Sequence, residues 1–206
     1  MVNFTIHGIG LPPRALDPGE DERWITVEQF EMLLDVVGPR PDVRLTFDDG
    51  NVSDVEIALP RLVERGITGE FFPLAGRVGT RGFVDRAGLR DLVAAGMVVG
   101  SHGWDRFGSR RYFDERVLQR ELDVAPRVLE ELSGRPVRRY ALPGRVNRRV
   151  LGRLKAAGAT RVYAGERGGG RGEWLQRRVE VRGGFDRGWV DRVLAGKGRS
   201  RLRLPL

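Results

Sequence analysis

Asp48 and Asp49 stand side by side at the end of an apolar run, Val43-Arg44-Leu45-Thr46-Phe47, and Gly50 follows them. Two carboxylates held close push their pKa values apart, which sets a base beside a metal ligand. Neighbouring side chains on a strand point to opposite faces. Both aspartates can therefore reach one site only if the strand end is kinked, and Gly50 tolerates such a turn. The same residues also suit a strand end followed by an Asx-type turn and a helix cap. The chain has only two histidines, His7 and His102, and the question is which elements carry all four residues.

Apolar spacing predicts strands over 3–7, 43–47, 70–74, 97–100, 138–142, 160–163 and 179–181. Helices are predicted over 26–37 behind a Thr26 cap, and over 54–65, 85–95, 114–132, 147–157 and 186–195. A Gly-rich loop occupies 165–172. Alternating strands and helices argue a parallel sheet or a β/α barrel. His7, the Asp48–Asp49 pair, His102 and Pro143 then all follow strands, on the face where such folds place their chemistry.

With 206 residues, 40 % hydrophobic and 31 % charged, the chain is read as one domain spanning 1–206. Cysteine is absent, which excludes disulfides and thiolate metal sites. No secretion signal and no apolar run of about 20 residues is visible, so the expected location is cytoplasmic, without a membrane span. The net charge of +8 is carried almost wholly by arginine, Lys155 and Lys197 being the only lysines. The arginines are scattered through every segment, which argues against a nucleic-acid partner; a basic cluster closes the chain at 197–203.

Three motifs in order, Thr46-Phe47-Asp48-Asp49-Gly50, Gly100-Ser101-His102-Gly103-Trp104 and Tyr140-Ala141-Leu142-Pro143-Gly144, resemble the polysaccharide deacetylase family (the NodB-homology or carbohydrate esterase 4 domain). The resemblance is best over 46–163. It implies a distorted (β/α) barrel and metal-dependent hydrolysis of N- or O-acetyl groups on a carbohydrate. It further implies Asp48 as general base, Asp49 and His102 as ligands of a divalent metal (zinc or similar), and the backbone near Tyr140 as an oxyanion donor. Trp104 and Tyr140 are candidates to line a sugar site.

The chain also departs from the family pattern. Arg106 stands where the second motif has a further histidine, and a guanidinium has no lone pair for a metal. Ala141 stands where the third motif has the arginine that orients the catalytic aspartate, and Arg145 where it closes on glycine. No histidine follows His102, so the family's late general-acid motif is absent. Three readings follow. In one, the chain is a divergent deacetylase whose metal site is completed by His7 or Asp105. In the second it is a pseudoenzyme without metal, binding carbohydrate or serving as a scaffold, with Arg106 beside the aspartates. In the third its arginines bind an anionic partner.

Overall fold

The computed structural model describes residues 1–105, 114–142, 147–165 and 172–196. In chain order the elements are β1 (Val2–Ile6), β2 (Gly8–Ile9), β3 (Trp24–Ile25), α1 (Val27–Val37), β4 (Val43–Asp49), α2 (Leu59–Glu64), β5 (Gly69–Pro73), α3 (Arg86–Ala94), β6 (Val98–Val99), α4 (Glu115–Gln119), α5 (Ala125–Ser133), β7 (Arg139–Ala141), α6 (Arg148–Ala156), β8 (Arg161–Ala164), β9 (Leu175–Arg177), β10 (Val179–Glu180) and α7 (Arg187–Leu194). One parallel sheet runs β10-β1-β4-β5-β6 and a second runs β7-β8-β9. A parallel bridge between Ser101 and Tyr140 links the two just beyond β6, and only Arg178 separates β9 from β10. The architecture is a distorted (β/α) barrel whose sheet is not closed. Among the described residues no helix is long and apolar enough to cross a membrane.

The alternation of strand side chains sorts the barrel into two faces. Phe4, Leu45, Phe47 and Phe71 turn outward into the main core with Phe30, Leu33 and Leu34 of α1 and Trp189 of α7. Phe47 stacks on Phe71, with ring centroids 4.5 Å apart. The alternate positions face inward and are unusually polar. The Thr5 and Thr46 hydroxyls meet at 3.1 Å, and Arg44 reaches across to Gln176 at 3.0 Å. Phe72, Ala141 and Tyr163 form a small apolar layer between them.

Two predicted helices are interrupted. Residues 54–65 open with a wide π turn, Asp54–Ala58, before α2, and 114–132 divides into α4, a second π turn at Arg120–Val124, and α5. Each π turn is followed by a proline in the first turn of the next helix, Pro60 and Pro126. A proline has no N–H and its ring crowds the carbonyl four residues back, so the chain widens by one residue there. The short strands β2, β3 and β9 were not legible in the sequence, because two or three residues show no periodicity.

The strand end at the aspartates is kinked as expected, but at two successive residues. Among the described residues, Asp49 is the one non-glycine with a left-handed backbone, φ 75°, and Gly50 follows at φ 74°. A Cβ on Gly50 would lie 2.6 Å from the Pro73 Cβ. Gly50→Ala therefore combines backbone strain with overpacking, and is expected to lower unfolding free energy by about 1–3 kcal/mol, measurable as a reduced urea midpoint.

Candidate active site

The kink is what lets adjacent aspartates share one site. Asp48 keeps the inward direction of Thr46, while the left-handed turn at Asp49 brings its carboxylate round. Asp49 is paired in register with Pro73, and the Pro73 carbonyl accepts the His102 N–H at 3.1 Å. Both groups are thus fixed to the end of β5. The His102 ring lies between the two carboxylates, with Nε2 3.7 Å from Asp49 Oδ1 and Nδ1 3.8 Å from Asp48 Oδ2. These separations exceed hydrogen-bond length. The Asn51 side chain donates to the His7 carbonyl at 3.2 Å and accepts from Arg14 at 2.9 Å, tying β1 and the following loop to the same turn.

Asp48 has a partner that sequence reading missed. Arg178, buried between β9 and β10, grips it with both arms: Nη1 to Oδ1 at 2.5 Å and Nη2 to Oδ2 at 2.8 Å. Its Nη1 also lies 3.4 Å from the Thr46 hydroxyl. The signal available in the sequence was the alternation Gln176, Arg178, Glu180, which points every second residue inward once 175–181 is seen as strand. Burial alone would raise the Asp48 pKa, but Arg178, His102 and the Arg178 hydrogen bonds outweigh it and hold the carboxyl at about 2.

Two further buried groups face this charge. His7, 5 % exposed, lies with Nε2 4.0 Å from Glu180 Oε1, and its Nδ1 has no hydrogen-bond partner among the described residues. Burial lowers its pKa against the pull of Asp49 and Asp48, so the ring is neutral and keeps a lone pair. Asp54, 1 % exposed at the start of the π turn, carries an oxygen without a partner. Burial, then the Asp49 and Asp48 carboxylates, push its pKa well up. Its five-residue distance from the pair gave no sequence signal.

The remaining expected positions are dispersed. Tyr140 is 3 % exposed and packs outward with Leu118, Leu122 and Val162, so its side chain belongs to the core; burial pushes its hydroxyl up to about 12. Trp104 packs on the main core and against Gly76, and its backbone N–H donates to buried Glu121 at 2.5 Å. Asp105 pairs with Arg77 at 3.1 Å on the rim. Ala141 lies in the layer with Phe72 and Tyr163. Arg106, Arg145, Pro143, Gly144 and the basic 197–203 tail lie outside the described residues.

Donor chemistry fits a divalent ion at two positions. Asp49 and His102 are 3.7 Å apart and buried, and a small closure would bring both to the roughly 2.0–2.2 Å reach of a zinc-like ion. Among the described residues, His102 Nδ1, His7 Nδ1 and Asp54 Oδ1 are buried without hydrogen-bond partners. Among the described residues no group of three His, Cys, Asp or Glu is placed to hold a metal.

Three outcomes follow from this electrostatic arrangement. Arg178 and His102 hold the Asp48 carboxyl at about 2, below its ordinary value of 3.8, so it contributes about 2 kcal/mol of stability above pH 3.8. That contribution is lost as pH falls toward 2. Arg178→Gln leaves a buried carboxylate unpaired, with an expected cost of about 3–5 kcal/mol at pH 7. Without its partner Asp48 is protonated above its unfolded pKa, so the sign of its contribution reverses and the variant gains stability relative to wild type on acidification. Urea titrations from pH 7 to 3 read both effects. Because burial and the neighbouring carboxylates raise the Asp54 pKa on folding, its carboxyl costs stability at pH values above the unfolded value, so Asp54→Asn is expected to raise metal-free stability at pH 7 and to bring little change at pH 3.

Comparison with known proteins agrees with this architecture. The family model for polysaccharide deacetylase matches residues 35–162. No curated protein matches the chain significantly. Among solved structures, IcaB from Ammonifex degensii superposes with a TM-score of 0.72 at 22 % identity, covering 96 % of this chain and 97 % of that one. The deacetylase PplD of Streptococcus pyogenes, solved in complex with acetate, gives 0.76 at 15 % identity, with 97 % and 98 % covered. The polysaccharide deacetylase BC0361 of Bacillus cereus gives 0.75 at 16 %, with 96 % and 68 % covered. At such identities the structural likeness speaks to the fold, whereas the family match spans more than half of the sequence: the chain belongs to the polysaccharide deacetylase family.

Proposed function

We propose that the chain hydrolyses an acetyl group from a carbohydrate at the Asp48–Asp49–His102 site, with Arg178 as the positioning residue for Asp48. The observation that carries this reading is the two-armed Asp48–Arg178 pair set beside His102 and Asp49. A site without a task has no evident need to bury two adjacent carboxylates and strain the backbone to aim the second.

In this reading Asp49 and His102 hold a divalent cation, zinc or similar, with neutral His7 as the candidate further ligand. When bound, such an ion polarises the acetyl carbonyl and acidifies water. Asp48 is the general base. Its two oxygens offer about four lone-pair sites; Arg178 uses two and fixes the plane, leaving others to take the proton of an attacking water. Arg178 also keeps Asp48 ionised across the working pH range. His102, with Nδ1 toward Asp48, fits the arrangement in which a ligating imidazole directs its other nitrogen at a carboxylate. Tyr140 contributes backbone only.

A second reading is supported by the donor set itself. No three-ligand group stands among the described residues, and Arg106 replaces the family's second histidine. In that case the site binds an acetylated glycan without turning it over.

Acetate release from an N-acetylglucosamine oligomer, with zinc or cobalt supplied, tests the choice. The expected outcome is metal-dependent release that falls about 10²–10⁴-fold in Asp48→Asn. Arg178→Lys keeps the charge but loses the fork; it is expected to lower kcat roughly 10-fold with KM little changed, and to move the acid limb of the pH profile upward. Zero release by wild type with every metal, together with retained glycan binding, supports the second reading.

A further inference from the structure

The end of the barrel remote from the aspartates carries its own charged cluster. Glu70 is buried inside β5, and three arginines from three other strands converge on its Oε1: Arg139 at 2.7 Å, Arg161 at 3.1 Å and Arg44 at 3.8 Å. Arg44 also donates to Gln176 at 3.0 Å, a neutral partner. The cluster is unbalanced, three cations on one carboxylate. Among the described residues, Glu70 Oε2 and Arg161 Nε are buried without a hydrogen-bond partner.

Space adjoins it on two sides. A cavity of about 420 Å³ is lined by all four residues together with Arg40, which is paired with Asp42. A second, of about 690 Å³, is bordered by Arg44, Arg161, Arg177 and Glu173. The three arginine side chains are 21–31 % exposed, so an ion can reach them from solvent.

We propose that Arg44, Arg139 and Arg161 form an anion site at the amino-terminal end of the barrel that takes the phosphoryl group of a small ligand. A phosphoryl group at neutral pH brings close to two negative charges and three acceptor oxygens, which matches the surplus of two cations. Guanidinium forks suit that geometry. A monocarboxylate does not fill the same role, because Glu70 already supplies one and leaves the surplus. Arg44 precedes Asp48 by four strand residues, about 13 Å, so the site lies apart from the aspartates and does not rest on the proposed hydrolysis.

Calorimetric titration of pyrophosphate into the full chain at low salt tests this. One pyrophosphate per chain is expected, unchanged in His102→Ala at the opposite end. The double variant Arg44→Gln/Arg161→Gln is expected to bind at least about 10-fold more weakly. Glu70→Gln removes the competing carboxylate and is expected to bind about 10-fold more tightly; a purely structural ion cluster gives no gain there. Absence of saturable binding at millimolar pyrophosphate overturns the proposal. So does an affinity that Glu70→Gln leaves unchanged or weakens, a result that stands even if the double variant does not fold.

Discussion

The candidate site is organised around one buried ion pair, Asp48 with Arg178. Three aspartates, Asp48, Asp49 and Asp54, are each at most 2 % exposed around a single strand end, and the Arg178 guanidinium is bonded directly to the first of them. Unpaired carboxylates cannot be buried together without one giving up its charge. Arg178 holds Asp48 as the ionised member, whereas burial and the two neighbouring carboxylates push the Asp54 pKa well up. Asp49 faces the His102 ring, with Nε2 3.7 Å from its Oδ1.

The same strand alternation that builds the apolar outer face builds both polar clusters inside. Along β4, Arg44, Thr46 and Asp48 point inward in succession, from the arginine cluster at one end to the aspartates at the other. Tyr163 sits between them: the Arg178 guanidinium lies 5.7 Å from its ring. Its hydroxyl is pushed up to about 12 by burial and then by Glu70. The interior of this barrel is a charged column crossed by a thin apolar layer, and the gap between β9 and β10 is where Arg178 enters it.

Much of this was legible beforehand. The alternating pattern pointed to the barrel, Thr26 capped its helix with the Gln29 box, and the carboxyl-end placement of His7, Asp48, Asp49 and His102 follows from strand boundaries alone. Arg178 escaped notice because β9 is too short to show a period, because it falls just before the predicted 179–181 strand, and because one arginine among 36 basic residues carries no signal of its own. Asp54 escaped because its meaning arises from burial beside two like charges, a three-dimensional fact. Tyr140 shows the converse: its motif suggested a sugar contact, whereas the alternation of β7 turns it outward into the core.

The most direct test of the account is a calorimetric titration of zinc into metal-free protein, run beside Asp49→Ala. The account predicts one ion per wild-type chain, with binding abolished by the substitution while the fold is retained. No saturable binding, or binding that Asp49→Ala leaves unchanged, would contradict a cation held by Asp49 and His102.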